Sequence, residues 1–296
     1  MNGSALTGDR RTVAELLGFD GIIEHTRDAM WQTDGYIALL SAVASLAITC
    51  AKLAEDLEIW ASQEFDYVRL ADGHTRTSVL MPQKRNPYAL TMIRGEAGVL
   101  IGRLTGMLAV TKTPSARSDN LIFAYGEVPR AVDLALRQMR LTAGVVAGLE
   151  ANVERMYAAL ESGYSQAADL AEYLMVEVGI DYRTAYRIVG AAVRRAAELG
   201  LRGIDMTGEL LAECALELSG AEHGLRELDL ATALDPRAIV RSRSTVGGAE
   251  PSVVKGMAAD VCAAARSAQS RAGSRRAVLD AAEASLLARS TELAEN

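Results

Sequence analysis

Long stretches of apolar residues at helical spacing constrain this chain more than any other feature of its sequence. Between residues 31 and 62 the apolar side chains recur every three or four positions, as in a helix that packs in a bundle. They are Leu39, Leu40, Val43, Leu46, Ala47, Cys50, Leu53, Ala54, Leu57, Trp60 and Ala61. Many intervening positions are Ala or Ile, and a helix that is apolar on several faces is buried among other helices. The pattern predicts one long core helix over 31–62.

Two more long helices are predicted in the first half of the chain, over 87–113 and 126–149. Pro114 is expected to end the first of them, and 115–125 is irregular. No strand alternation accompanies these patterns. The first half is therefore expected to form three long helices of an antiparallel bundle.

The second half is predicted to contain shorter helices, over 153–162, 166–178, 182–199, 208–218 and 251–270. Glycines at the helix ends suit C-terminal caps, and an Asp-Pro pair suits a helix start; these residues are Gly163, Gly179, Gly200, Asp235 and Pro236. A charged, Ala-rich stretch follows at 275–292. We therefore expect an all-α protein, with a long-helix bundle domain at 1–150 and a small helical C-terminal domain with a charged tail at 151–296.

Composition narrows the class of protein. The chain has 296 residues and a net charge of −7, which argues against nucleic-acid binding. Its three cysteines are widely spaced and lack metal-binding spacing, so we expect no metal, no cofactor and a reducing, cytoplasmic location. No signal peptide is recognised at the start. The apolar run at 37–51 contains Ser and Thr and is short for a membrane span, so no membrane association is expected.

The segment at about 64–87, between the first two long helices, has residues suited to chemistry. Met81 and Asn86 each precede a proline, which favours extended or turn geometry. Lys84 as a point charge and Asn86 as an oriented donor suit the binding of a carboxylate. Pro87 can begin the next helix, whose N-terminus favours a nearby anion.

This segment resembles the signature of the fumarase/aspartase superfamily, roughly G-S-S-x-M-P-x-K-x-N-P, and its ending looks most like the argininosuccinate lyase branch. The matching residues are Ser78, Met81, Pro82, Gln83, Lys84, Asn86 and Pro87. Two departures stand out. Arg76-Thr77 replaces the family's Thr-Gly, and Val79 replaces its second serine. Loss of the glycine removes easy access to positive φ, which predicts a stiffer or differently placed loop.

The resemblance implies a β-elimination that releases fumarate from a succinyl-amino compound, as in arginine biosynthesis. It gives Ser78 the role of the base, and Lys84 and Asn86 that of binding the carboxylate. Gln83, Thr77 and Met81 are the other expected substrate-binding residues. A serine acts as a base only where its oxyanion is strongly stabilised, by backbone N–H groups, a helix N-terminus or Lys84. The alternative is that Ser78 only caps a turn.

The resemblance runs from the start of the chain to about residue 270, and it matches the C-terminal two-thirds of the family. The family's N-terminal part, with the Thr-His motif on the acid side of the reaction, is not matched by any segment. Family sites are assembled from three subunits of a homotetramer. The resemblance therefore predicts a homo-oligomer, a tetramer, or a partner chain that carries the N-terminal half. It also predicts a small dicarboxylate or amino-acid substrate.

Other candidate residues are weaker. Among the histidines, His74 and His223 are tempting acids, whereas His25 stands where the family has a substrate-contacting Asn. A satisfied loop histidine is the expectation for His74. Ile122 and Tyr125 occupy the places of the family's Gln and Lys that bind the arginine side of the substrate. A nearby set of charged residues would serve another ligand or form a solvated face: Arg117, Asp119 and Arg130.

Two hypotheses from different classes follow. The first is a lyase of the argininosuccinate lyase type, which needs the N-terminal half or a partner chain. The second is a catalytically inactive relative that acts as a structural or binding protein. Intact Ser78, Lys84 and Asn86 favour the lyase, whereas the altered positions around them favour the inactive relative or a different substrate.

Overall fold

A computed structural model describes residues 3, 5, 8–112 and 119–295, apart from the side chains of Leu293 and Glu295. The predicted helix end at Pro114 and the candidate Arg117 lie outside the described residues. The chain divides into two compact units. The first comprises Met1–Asn152 and Ser274–Asn296, and the second comprises Val153–Gly273.

Long helices dominate the first unit, as the apolar pattern predicts. Its helices are α1 (Arg10–Leu16), α2 (Thr26–Trp31), α3 (Asp34–Trp60), α4 (Tyr88–Thr111), α5 (Ile122–Tyr125) and α6 (Glu127–Ala147). The helix predicted over 31–62 is interrupted at Gln32 and Thr33, where the backbone leaves helical geometry at Gln32. Thr33 is the N-cap of α3 and is buried.

The core of the first unit lies where α3, α4 and α6 pack against one another. Its fully buried side chains include Leu40, Leu90, Ile93, Leu100 and Val145. One buried polar group crosses this core, because the Gln138 amide on α6 donates a hydrogen bond of 2.9 Å to the Ile93 carbonyl on α4. This bond satisfies an amide that would otherwise be costly to bury.

The first unit also contains very short strands, which the sequence analysis did not predict. They are β1 (Val68–Arg69), β2 (Arg76–Thr77), β3 (Arg85–Asn86) and β4 (Glu150–Ala151). Both pairs, β1 with β4 and β2 with β3, are antiparallel. Two-residue strands lack the alternating pattern that identifies a strand in a sequence. Because these strands are so short, the prediction of an all-α fold is confirmed.

The second unit is a helical domain with its own core. Its helices are α7 (Val153–Ser162), α8 (Ala167–Val178), α9 (Tyr182–Glu198), α10 (Gly208–Ser219), α11 (Ala231–Leu234) and α12 (Pro236–Ser242). Asp181 and Asp235 cap α9 and α12 through their carboxylates. Gly179 and Gly200 follow helix ends with φ of +75° and +69°, as expected for C-terminal caps. Gly163 does not adopt positive φ, so that predicted cap is wrong.

The last helix, α13 (Pro251–Glu295), is one continuous element of 45 residues rather than a helix over 251–270 and a separate stretch. Its part from Ser274 onward belongs to the first unit. Arg275 pairs with Asp20 at 2.9 Å. Gly18, with φ of +74°, approaches Ala282 so closely that a Cβ at position 18 would lie 2.9 Å from the Ala282 Cβ.

One helical stretch, Thr26–Trp60, is apolar and long enough to cross a membrane by those two criteria alone. Only 28% of its most apolar window is buried inside the structure. Core helices of other proteins pass the same test, so this is weak evidence for a membrane span. The stretch contains α3, whose apolar residues are therefore only partly covered within this chain.

Two glycine substitutions should have opposite effects on the second unit. Gly208→Ala places a Cβ 2.4 Å from the Leu225 carbonyl oxygen, so we expect a loss of about 1–3 kcal/mol in the free energy of unfolding. The matched control, Gly190→Ala, lies within α9 and meets only an Arg194 nitrogen at 3.9 Å. It should gain about 0.5–1 kcal/mol from helix propensity. Urea unfolding measures both, and equal effects would contradict the packing described.

Glu96 on α4 should make stability depend on pH. Burial raises the pKa of this carboxyl above its ordinary value of 4.5, although Arg137 acts to lower it, and the Glu96 Oε2 has no hydrogen-bond partner among the described residues. A raised pKa favours the folded state at low pH, and this contribution is lost as pH rises through the folded-state pKa. Glu96→Gln should therefore stabilise by about 1 kcal/mol at pH 7. The gain should shrink below pH 4.5, which unfolding at several pH values will check.

Candidate active site

The segment predicted as a loop is a short antiparallel hairpin, here called the signature hairpin (residues 76–86). In it Arg76 pairs with Asn86, and Thr77 pairs with Arg85. Beyond the strands, the Ser78 N–H donates to the Lys84 carbonyl at 3.0 Å, and the Lys84 N–H donates to the Met81 carbonyl at 3.0 Å. Thr77 is extended in β2, so the glycine that the family has there is not needed for positive φ.

The register assigns the hairpin residues to two faces, because side chains alternate along a strand and paired residues share a face. Arg76 and Asn86 belong to one face. The hydrogen bond from the Ser78 N–H to the Lys84 carbonyl extends the same register by one pair, so we assign Ser78 and Lys84 to this face, here called the serine face. Thr77 and its partner Arg85 belong to the opposite face, with Thr75 and Pro87.

Side-chain contacts agree with this assignment. On the serine face, the Arg76 guanidinium carbon lies 5.5 Å from the centre of the Tyr88 ring, at the start of α4. On the opposite face, Arg85 forms an ion pair with Asp72 in the 3₁₀ turn Asp72–His74.

Ser78 is half-buried, and its hydroxyl oxygen accepts two backbone hydrogen bonds. The donors are the N–H of Leu80 at 3.2 Å and the N–H of Met81 at 3.1 Å. Two such dipoles aimed at one oxygen stabilise negative charge on it. The same bonds also cap the turn at the tip of the hairpin, so the geometry is compatible with a base and with a turn cap.

The remaining predicted residues do not all lie together. Asn86 is half-buried in β3 and Lys84 is exposed, both on the serine face. Met81 and Gln83 are exposed in the tip between the strands. Thr77 belongs to the opposite face by its pairing with Arg85. The hairpin thus brings three of the predicted residues, Ser78, Lys84 and Asn86, to one side.

A cleft of about 620 Å³ lies on the opposite side, at the base of the hairpin. Its lining includes Asp66, Arg69, Asp72, Arg85 and Glu150. Both arginines are already paired, Arg69 with Asp66 at 3.0 Å and Arg85 with Asp72. The hydrogen bonds that the Arg69 guanidinium donates to the Asp66 carboxylate raise the pKa of Arg69 above its ordinary value. Because the cations are engaged, this cleft is a weaker anion site than the serine face.

Two of the three histidines make side-chain hydrogen bonds elsewhere in the chain. The His25 Nδ1 accepts the Arg27 N–H at 3.2 Å and caps α2. His223, with φ of +51°, has its Nε2 2.9 Å from the Ser219 hydroxyl. His74 is half-buried beside Gly144, and its Nδ1 has no hydrogen-bond partner in the described part of the chain. His74 lies in the 3₁₀ turn Asp72–His74, in keeping with the expected surface or loop histidine, but no described residue satisfies its Nδ1.

Ile122 and Tyr125 lie on α5 and are exposed by 67% and 55%. The neighbouring Phe123 is exposed as well. Arg130 pairs with Glu127 at 2.5 Å, and Asp119 begins the 3₁₀ turn Asp119–Leu121. The exposed side chains of α5 itself are therefore mostly apolar. Within the described ranges, no cluster of His, Cys, Asp and Glu could hold a metal ion.

Arg76 is the residue that the sequence analysis did not consider for the site. It shares the serine face with Lys84 and stands directly opposite Asn86. The sequence shows that position 76 has Arg where the family has Thr. It does not show on which face of the hairpin Arg76 lies, because that depends on the pairing of β2 with β3.

Comparisons with known families and proteins agree with the signature. A family described as lyase matches residues 1–102, and the argininosuccinate lyase C-terminal family matches residues 164–241. An argininosuccinate lyase of Methanococcoides burtonii is 35% identical over 82% of this chain and 49% of its own length. That of Parasynechococcus marenigrum is 38% identical over 83% of this chain and 51% of its own. The chain thus spans about half the length of these curated relatives.

Solved structures share the fold. The structure of an EDDS lyase variant with bound fumarate has a TM-score of 0.88 and 28% identity, over 96% of this chain and 57% of its own. A 3-carboxy-cis,cis-muconate lactonizing enzyme from Pseudomonas putida, at 21% identity and a TM-score of 0.56, covers 77% of this chain and 51% of its own. That more distant likeness concerns the fold alone. By its two family matches, its relatives and its signature hairpin, this chain belongs to the fumarase/aspartase superfamily and is argininosuccinate lyase-like.

Proposed function

We propose that this chain supplies the base and the carboxylate-binding groups of a carbon–nitrogen lyase that releases fumarate from a succinyl-amino compound. The observation that carries the proposal is the Ser78 hydroxyl, which accepts two backbone N–H groups on the face it shares with Lys84 and Asn86. Relatives named argininosuccinate lyase, and the EDDS lyase structure with bound fumarate, support this reaction class.

In the proposed reaction, the Ser78 oxyanion takes a proton from the carbon next to one carboxylate of the substrate. The electron pair moves into that carboxylate, whose extra negative charge Lys84 and Asn86 stabilise. The pair then returns to form the double bond as the C–N bond breaks. The amine nitrogen takes a proton from an acid, and fumarate and the amine leave. The N–H groups of Leu80 and Met81 lower the free energy needed to form the serine oxyanion, because they stabilise its negative charge.

The residue that acts as the acid is not identified with either of two histidines, since His25 caps α2 and His223 contacts Ser219. His74 lies in the 3₁₀ turn before the hairpin and is not on the serine face. We infer that the acid comes from a partner, which is either another copy of this chain in a cytoplasmic homotetramer or a chain with the family's N-terminal half. The exposed tip of the signature hairpin fits such an assembly, because Val79 and Leu80 are exposed by 93% and 89%.

The long helices of the first unit carry exposed apolar side chains that a partner would cover. On α3 and α4 they are Leu39, Leu46, Ile48, Leu53, Ile59, Met92, Val99, Ile101 and Leu108. Large exposed apolar patches mark interaction sites in soluble proteins. Packing through these helices is the arrangement we propose for the oligomer.

The alternative function is that of an inactive relative, kept for a structural or binding role. It is favoured by Ile122 and Tyr125, which cannot repeat the contacts of the Gln and Lys that bind the arginine side of the substrate in the family. Under this alternative, the hydrogen bonds of Ser78 only cap the hairpin tip. An activity assay decides between the two functions.

Replacement of Ser78 tests the role of the base. The purified chain, alone and mixed with the N-terminal half of an argininosuccinate lyase, is assayed for fumarate by ultraviolet absorbance. Ser78→Ala should lower kcat by about 10²-fold or more, the usual contribution of a general base. Ser270→Ala, an exposed serine on α13, is the control and should leave kcat unchanged. Equal rates for Ser78→Ala and the parent, with equal melting temperatures, would remove Ser78 from the mechanism.

Substrate preference tests the altered leaving-group region. Because Ile122 and Tyr125 offer an apolar surface, argininosuccinate should give a lower kcat/KM than a succinyl-amine with an apolar amine half. The double variant Ile122→Gln with Tyr125→Lys should shift kcat/KM toward argininosuccinate. A parent chain that favours argininosuccinate would show that these two positions do not select the amine.

Sedimentation tests the proposed assembly. The parent chain should sediment as an oligomer at micromolar concentration. Leu46→Glu on α3 should shift it toward monomer, because it places a charge in the surface that a partner would cover. Val176→Glu, at an exposed apolar position on α8 of the second unit, is the control. A cooperatively melting parent monomer would contradict the proposed oligomer.

A further inference from the structure

The serine face carries two cations that form no ion pair within the described part of the chain. Neither the Arg76 guanidinium nor the Lys84 ammonium has a salt bridge or a hydrogen bond to a described residue. The third cation of the hairpin differs, because Arg85 on the opposite face is paired with Asp72. The hairpin thus leaves positive charge unpaired on the face of Ser78 and neutralises it on the other.

Arg76 is held in place without losing its charge. Its guanidinium lies over the Tyr88 ring, with 5.5 Å from its central carbon to the ring centre. A cation–π contact of this kind orients the guanidinium but uses none of its N–H donors. Those donors form a planar fork that fits the two oxygens of a carboxylate. Arg76 is therefore oriented and still able to bind an anion.

The spacing suits a ligand with two carboxylates. Arg76 stands directly opposite Asn86, and Ser78 lies two positions further along the same strand direction, beside Lys84. Residues two apart on a strand are about 7 Å apart, and directly opposite residues are about 5 Å apart. A small dicarboxylate is therefore short enough to contact Lys84 and Arg76 together, with its central carbons near Ser78.

We propose that Arg76 binds the second carboxylate of a dicarboxylate whose first carboxylate is held by Lys84 and Asn86. This inference rests on the proposed function, and it adds a specificity-determining residue to the site. Binding at both ends orients the carbon between the carboxylates toward Ser78. It also explains physically why a cation at position 76 remains unpaired beside the residue proposed as the base.

Binding of two inert ligands tests this role without any need for catalysis. Fumarate has two carboxylates, whereas monomethyl fumarate has one, and both are titrated into the purified chain by calorimetry. The parent should bind fumarate more tightly. Arg76→Gln should weaken fumarate binding by about tenfold or more, as expected for a charge-assisted hydrogen bond, and leave monomethyl fumarate nearly unchanged. Lys84→Gln should weaken the binding of both ligands.

Two further variants separate ligand binding from hairpin stability. Arg85→Gln alters the same hairpin on its opposite face and should keep the parent's preference for fumarate. Arg76→Lys should restore part of the preference, since it restores the charge without the planar fork. The proposal is overturned if the parent binds fumarate no better than its monomethyl ester, or if Arg76→Gln keeps the full preference.

The same proteins distinguish this inference from the proposed function. Ser78→Ala should keep the preference for fumarate while losing fumarate release. If Ser78→Ala retains fumarate release but Arg76→Gln loses the binding preference, the proposed base is wrong and the role of Arg76 stands. If the reverse holds, the lyase proposal stands and the second carboxylate is bound elsewhere.

Discussion

The pairing of β2 with β3 determines which side chains of the signature hairpin lie together on one face. Each strand has only two residues, yet their register decides which side chains share a face. A shift by one residue would move Ser78 and Arg76 away from Lys84 and Asn86, because side chains alternate along a strand. The N–H groups that contact the Ser78 hydroxyl come from the tip that this pairing closes. The candidate chemistry of the chain therefore depends on a very small element of β structure.

The long helices give this small element a fixed base. β3 is followed at once by Pro87 and by α4, whose first turns pack in the core through Ala89, Leu90 and Ile93. On the other side, Arg85 is tied to Asp72 in the preceding 3₁₀ turn. An exposed ion pair of this kind adds little stability by itself. The burial of α4 is thus the larger constraint on where the hairpin lies.

The apolar surface of α3 links the fold to the proposed assembly. The same residues that give Thr26–Trp60 the hydropathy of a membrane span are incompletely covered within one copy of the chain. A helix with apolar residues on several faces needs neighbours on several sides. Within the first unit α4 and α6 cover part of α3, and the proposed partner would cover the rest. A partner that packs on α3 would account for both the high hydropathy of this helix and its low burial within one copy of the chain.

Local signals in the sequence determined most of the helices. α7 spans the predicted 153–162, and α8, α9 and α10 agree with prediction to within a residue or so, because apolar periodicity and caps such as Asp235 act over a few positions. The signature likewise identified Ser78, Lys84 and Asn86 as a candidate set. Local signals missed the break before α3 and the continuity of α13. In α13 distant residues contribute, because Arg275 pairs with Asp20 and Ala282 lies against Gly18.

Only the tertiary structure decided how the candidate residues are arranged. The sequence grouped Thr77 with Ser78, whereas the pairing with Arg85 assigns Thr77 to the other face. It gave no role to Arg76, which the same pairing brings opposite Asn86. The physical reason is that a two-residue strand has no pattern of its own. Its register is set by hydrogen bonds to a partner strand and by the helices that hold both strands in place.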